Sequence, residues 1–71
     1  MNRNEIEGNW KQLKGRARET WGELTDDDLD RIAGRRERVV GVLQERLGKT
    51  AAQASKEADE FFDELESMAT K

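Results

Sequence analysis

Between Ile6 and Leu24 the apolar side chains fall at helical intervals and at no others. Ile6, Trp10, Leu13, Ala17, Trp21 and Leu24 follow one another at spacings of 4, 3, 4, 4 and 3, which puts them on one stripe of an α-helix. Asn4 stands at the N-cap position, with Glu5 and Glu7 near the positive end of the helix dipole. With 34% apolar residues against 41% charged in 71 residues, the chain has little else from which to build a core, so its fold must bury this stripe. No proline interrupts the pattern anywhere.

Thr25 restarts the pattern. Its hydroxyl is placed to accept from the backbone N–H of Asp28, and Asp28 holds the acid position of a capping box. Asp26, Asp27 and Asp28 are then first-turn residues, where each negative charge contributes about 0.3–1 kcal/mol. The same run has a partial calcium-loop pattern, with Asp26, Asp28, Asp30 and Glu37 at loop positions 1, 3, 5 and 12. The turn position that needs glycine is Arg31, however, and Leu29 and Ile32 ask for a helix. The cap reading is preferred.

Gly34 is placed as a left-handed C-cap. Beyond it Val39, Val40, Leu43 and Leu47 supply a buried face ended by Gly48, but Leu29 and Ile32 stay in phase with Val39, Leu43 and Leu47. One continuous helix over 26–47 fits the pattern as well as two short ones. Thr50 caps a last helix whose inner face carries Ala51, Ala54, Ala58, Phe61, Phe62 and Leu65, and Thr70 and Lys71 are expected to fray. The expectation is a single all-α domain with helices over about 4–23, 26–33, 35–47 and 50–68.

Cysteine and histidine are absent. That removes disulfides, thiol chemistry, the commonest general base and the commonest metal ligands. The turn "GKT" at Gly48–Thr50 lacks the glycine and the strand of a phosphate loop, since residue 43 is leucine. As a DNA-gripping glycine hairpin it is followed by an acidic helix carrying Glu57, Asp59, Glu60, Asp63, Glu64 and Glu66. No catalytic, cofactor-binding or metal-binding residues are assigned, and an enzyme is not expected. No apolar stretch approaches the roughly 20 residues of a membrane span and no signal-type region follows Met1, so the expected location is cytoplasmic.

All six glycines lie in two series spaced by seven: Gly8, Gly15, Gly22 and Gly34, Gly41, Gly48. The first series lies opposite the apolar stripe, where each glycine costs about 0.8–1 kcal/mol relative to alanine. Such a face is merely solvated, or it receives a second backbone, or its marginal helicity is itself useful. Lys11, Lys14 and Arg18 line one edge and Glu5, Glu19 and Glu23 the other, while for Trp21, at the border of the stripe, core packing is preferred and partial exposure as an interface anchor is the alternative. Gly8, Gly15, Gly22, Lys11, Lys14, Arg18 and Trp21 form the candidate interaction surface. Three cations are too few for convincing nucleic-acid affinity.

The segments "GNWKQLKG" (Gly8–Gly15), "WGELTDDDL" (Trp21–Leu29), the Gly34 break and "VGVLQERLG" (Val40–Gly48) occur in that order. They resemble the CsbD-like family of small bacterial stress proteins over about two thirds of the chain. Leu47 replaces the aromatic that members often carry near Gly48. The resemblance implies a bacterial cytoplasmic protein accumulating under general or osmotic stress. It also implies four short helices packed as two hairpins, which favours a break at Gly34. It supplies no molecular activity, cofactor or catalytic residue. The leading expectation is therefore a non-enzymatic stress protein acting through an unidentified protein partner or self-association, with no nucleic acid, membrane or small-molecule substrate. The alternatives are a hydrophilin-like protectant, suggested by a mean hydropathy of −1.05, and a weak nucleic-acid-binding module.

Overall fold

The computed structural model describes residues 3–68, so the expected fraying of Thr70 and Lys71 lies outside the described residues. Its elements are all helical: α1 (Arg3–Gly8), α2 (Trp10–Thr20), α3 (Asp26–Ile32), α4 (Arg36–Leu47) and α5 (Ala51–Met68). The expected single helix over 4–23 is two segments. Asn9 takes φ −106° and ψ 13°, and its Nδ2 donates to the Glu5 carbonyl at 3.0 Å beside its own backbone N–H at 2.9 Å. Two donors on one carbonyl, next to Gly8, interrupt the ladder without ending the arm, since Leu13 N–H still reaches the Asn9 carbonyl at 3.1 Å. Asn4 lies inside α1 instead of capping it. The arm stops at Thr20 because Trp21 leaves the helix at φ −127°, ψ 76°.

Residues 26–32 are helical where a calcium loop would have to be extended. Thr25 Oγ1 accepts from Asp28 N–H and Thr25 N–H donates to Asp28 Oδ2, both at 3.2 Å. The chain leaves α3 through two left-handed residues, Ala33 at φ 51° and Gly34 at φ 78°, so the C-cap is Ala33 and not Gly34 alone. Arg35 is extended and starts α4. This turn excludes the continuous 26–47 helix. Gly34 has a second reason to be glycine, because a Cβ there would stand 3.0 Å from Glu7 Cα and 3.1 Å from the Ile6 carbonyl. The α1 backbone rests directly on it.

Once α3 and α4 are separate, α4 turns independently of α3's phase. Val42 is buried with Val39 and Leu43, whereas Val40 and Leu47, expected in the core, are only half-buried. On α5, Ala54, Ala58, Phe61, Phe62 and Leu65 are buried but Ala51, expected inside, is exposed. Thr50 and Gln53 make a reciprocal cap, Gln53 N–H donating to Thr50 Oγ1 at 3.1 Å and Thr50 N–H to Gln53 Oε1 at 3.4 Å.

Ion pairs show how the helices run. Arg18 meets Asp26, Lys14 meets Asp30 and Glu7 meets Arg35, so α3 runs antiparallel to the first arm. Asp28–Arg46 and Arg31–Glu45 make α4 antiparallel to α3, and Arg36 reaches Asp59 and Ser55 across the α4–α5 hairpin. The Cα radius of gyration, 11.2 Å, matches the ~11 Å of a compact chain of this length. At the centre Phe61 lies 4.9 Å from the Trp21 ring and 6.3 Å from that of Trp10, centroid to centroid.

Asp28 is only 2% exposed. Burial pushes its carboxyl up, but the Thr25 N–H and hydroxyl and the Arg46 guanidinium outweigh that and hold it below its ordinary 3.8. Its stabilisation is thus fully present above pH 3.8 and is lost as pH falls through the lower folded value, because the unfolded chain takes up the proton first. In acid titrations followed by circular dichroism, Asp28→Asn should be less stable at neutral pH and lose less of its stability below pH 3.8. Equal acid limbs would remove Asp28 from the account. Gly48 is also left-handed, at φ 65°, but has open space around it. Gly48→Ala should therefore cost only the roughly 1–2 kcal/mol of left-handed strain, whereas Gly34→Ala adds a backbone collision and should lower the melting temperature further. Equal losses would contradict the packing of α1 on Gly34.

Candidate functional site

The arm α1–α2 buries Ile6, Trp10, Leu13 and Ala17 and so turns Gly8, Lys11 and Gly15 outward. A Cβ at Gly8 or Gly15 would meet nothing within 4 Å. Lys11 is exposed and makes no ion pair among the described residues. These three residues, spanning about 10 Å at the helical rise, make one bare strip. The other expected members of the surface are used elsewhere. Lys14 Nζ binds Asp30 Oδ1 at 2.6 Å, and that carboxylate holds the ammonium above its ordinary value. Arg18 is bound to Asp26. Gly22 lies in the α2–α3 turn, 3.7 Å from the Arg18 carbonyl by its virtual Cβ.

Trp21 takes the core reading and not that of an exposed interface anchor. It is 4% exposed, packs on Phe61, and donates its Nε1–H to Glu57 Oε1 at 3.0 Å. Lys49 Nζ stands 2.9 Å from the other Glu57 oxygen, and the Lys49 ammonium with the Trp21 N–H keeps that carboxyl below its usual range. Trp21 is thus a core residue with a satisfied polar edge, unavailable as an exposed anchor.

Two further surfaces were not expected. An open groove of about 340 Å³ is lined by Arg31, Arg38, Gly41, Val42 and Glu45. Arg31 Nη2 is 3.6 Å from Glu45 Oε2, and Arg38 Nη1 donates to the Arg31 carbonyl at 3.2 Å. The 38, 41, 42, 45 spacing around Gly41 is visible along the sequence, but Arg31 joins these residues only through the packing of α3 on α4. The second surface is the exposed ridge Glu60, Asp63, Glu64 and Glu66 on α5, where no cation pairs with these carboxylates among the described residues.

The sequence pattern of the CsbD-like family matches residues 4–56. The chain belongs to that family. Its match covers the first arm, α3, α4 and the opening turns of α5, and stops short of the acidic ridge. A UPF0337 protein of Bordetella pertussis is 56% identical over 63 residues, covering 89% of this chain and 96% of that protein. The UPF0337 protein of Rhodopseudomonas palustris is 53% identical over 65 residues, 92% of this chain and 98% of its own. The UPF0337 protein YjbJ of Escherichia coli K12 is 54% identical over 57 residues, 80% and 83% of the two chains.

Because nothing covers Gly8 and Gly15, Gly8→Ala and Gly15→Ala should each stabilise the domain by about 0.8–1 kcal/mol. Each should raise the melting temperature by roughly 4–8 °C per kcal/mol. A lower melting temperature in either variant would show that its glycine is needed within the fold.

Proposed function

We propose that the protein is a non-enzymatic bacterial stress-response protein that acts by contacting other proteins through the strip Gly8–Lys11–Gly15. The supporting observation is the openness of that strip. Both glycines lie outside the core on a helical arm whose opposite face is fully used. A bare helix surface admits a partner's backbone at a distance any side chain would prevent.

The protectant alternative draws on the charged composition, but it asks for a chain that folds poorly. The burial of Trp10, Trp21 and Phe61 in one cluster favours a specific surface instead. Nucleic-acid binding draws no support from the strip, whose one cation is Lys11, since Lys14 and Arg18 are bound to Asp30 and Asp26. Among the described residues no helix is long and apolar enough to cross a membrane.

The test is complementation of a strain lacking the chain under osmotic upshift. Gly15→Gln adds bulk to the strip while improving helix propensity, so the variant should melt at or above the wild-type temperature yet fail to restore growth. Full rescue would remove the strip from the function and bring the protectant reading forward, because that reading depends on composition alone.

A further inference from the structure

Among the described residues two regions of opposite charge are incompletely matched, the first carrying two guanidinium groups against the single carboxylate of Glu45. One is the groove on α3 and α4, where Arg31 and Arg38 stand over the bare backbone of Gly41 and the side chain of Val42. Arg31 is held only by a 3.6 Å contact to Glu45, and Arg38 by one bond to a carbonyl. Two guanidinium groups carry ten N–H donors between them, so most of this capacity faces outward. The other region is the α5 ridge Glu60, Asp63, Glu64 and Glu66, which has no cation partner among the described residues.

The ridge does not reach the groove within one chain. Arg36 bonds Asp59 and Ser55 of α5 and so marks the side of α4 that α5 covers. Arg38, Gly41 and Glu45 lie about 140–180° around the helix from Arg36 at 3.6 residues per turn. A carboxylate ridge filling the groove must therefore come from another molecule.

We infer that the occupant is a second copy of this chain, whose α5 ridge lies in the Arg31–Arg38–Gly41 groove of the first. Gly41 gives the incoming helix room, since a Cβ there would meet nothing within 4 Å. Charge decides the geometry of the contact. Pairing two α5 ridges about a two-fold axis opposes carboxylate to carboxylate, whereas ridge in groove opposes carboxylate to guanidinium. The contact therefore joins unlike surfaces, ridge to groove, and either closes as a reciprocal pair about a two-fold axis or leaves a groove and a ridge for the next copy. It uses a surface separate from the glycine strip and does not rest on it.

The experiment is sedimentation equilibrium of the full chain at up to about 1 mM, in about 20 mM and about 500 mM salt. At low salt the average mass should rise to at least about twice the 8.2 kDa monomer, and at high salt it should return to the monomer. Arg38→Glu, and separately Asp63→Lys with Glu64→Lys, should each abolish association while leaving circular dichroism and tryptophan emission unchanged. Mixing the two variants should restore association in one-to-one stoichiometry, because the intact ridge of the first fits the intact groove of the second and the acidified groove of the first fits the basic ridge of the second. A wild-type chain monomeric at low salt would overturn the inference. So would association that survives Arg38→Glu, a variant mixture that stays monomeric, or association lost with Gly15→Gln instead.

Discussion

The contact of Phe61 with two tryptophans makes one body of four antiparallel runs. The ion-paired helix seams join neighbours in sequence: the first arm to α3, α3 to α4, α4 to α5. Phe61, together with the Trp21–Glu57 bond, brings the indoles of Trp10 and Trp21 onto α5 and so closes the bundle on itself. Such ring pairs add about 0.5–1.5 kcal/mol beyond the area they bury. Both indole N–H groups are answered, Trp10 by the Leu29 carbonyl at 2.7 Å and Trp21 by Glu57. The first bond ties α2 to the end of α3, the second ties the α2–α3 turn to α5. In a chain with this little apolar material, losing either ring would leave too small a core to hold the rest.

The polar contacts set direction more than stability. Exposed ion pairs are each worth about 0–1 kcal/mol, but here they occur along each seam and oppose any parallel or shifted packing of the same helices. Asp28 differs in kind. It caps α3 and meets Arg46 of α4 while almost wholly buried, so the carboxylate that begins one helix also fixes where the next one lies. Removing Arg46 would leave this buried carboxylate with its Thr25 bonds alone, so the loss exceeds that of an exposed pair.

Much of this was legible in the sequence because it is local. The Ile6–Leu24 stripe, the Thr25–Asp28 box and the small-to-large progression from Ala54 to Phe61 all depend on spacing within one helix. What was not legible depends on contact between helices. Spacing puts Trp21 on the stripe, but its partners Phe61 and Glu57 stand on α5, which no pattern along the first arm reveals. Val42 was passed over because Val39, Val40, Leu43 and Leu47 also make a helical stripe, and only the packing of α4 on its neighbours shows which side is inner. Asp28–Arg46 joins residues on two helices with no pattern between them. Gly34 was read as a turn glycine, although the passage of α1 across it constrains it equally. Of the surface expected from sequence, Gly8, Lys11 and Gly15 remain available. Lys14 and Arg18 are taken by carboxylates of α3, which spacing along one helix cannot reveal.

Two kinds of surface thus face outward for different physical reasons, and ionic strength separates them. Contact through a bare helix strip depends on close approach of backbones and on dispersion, which salt scarcely alters. Contact between the arginine groove and the carboxylate ridge depends on charges at the surface. The reach of such charges shrinks from about 10 Å at 0.1 M salt to about 3 Å at 1 M. Concentrating the cell contents favours both by mass action, but the accompanying rise in ions opposes only the second. The two proposed contacts therefore differ in their response to salt: the ridge-in-groove contact weakens as ions accumulate, and the strip contact does not. No movement within the fold is required, because the difference lies in the range of the forces and not in the position of any helix.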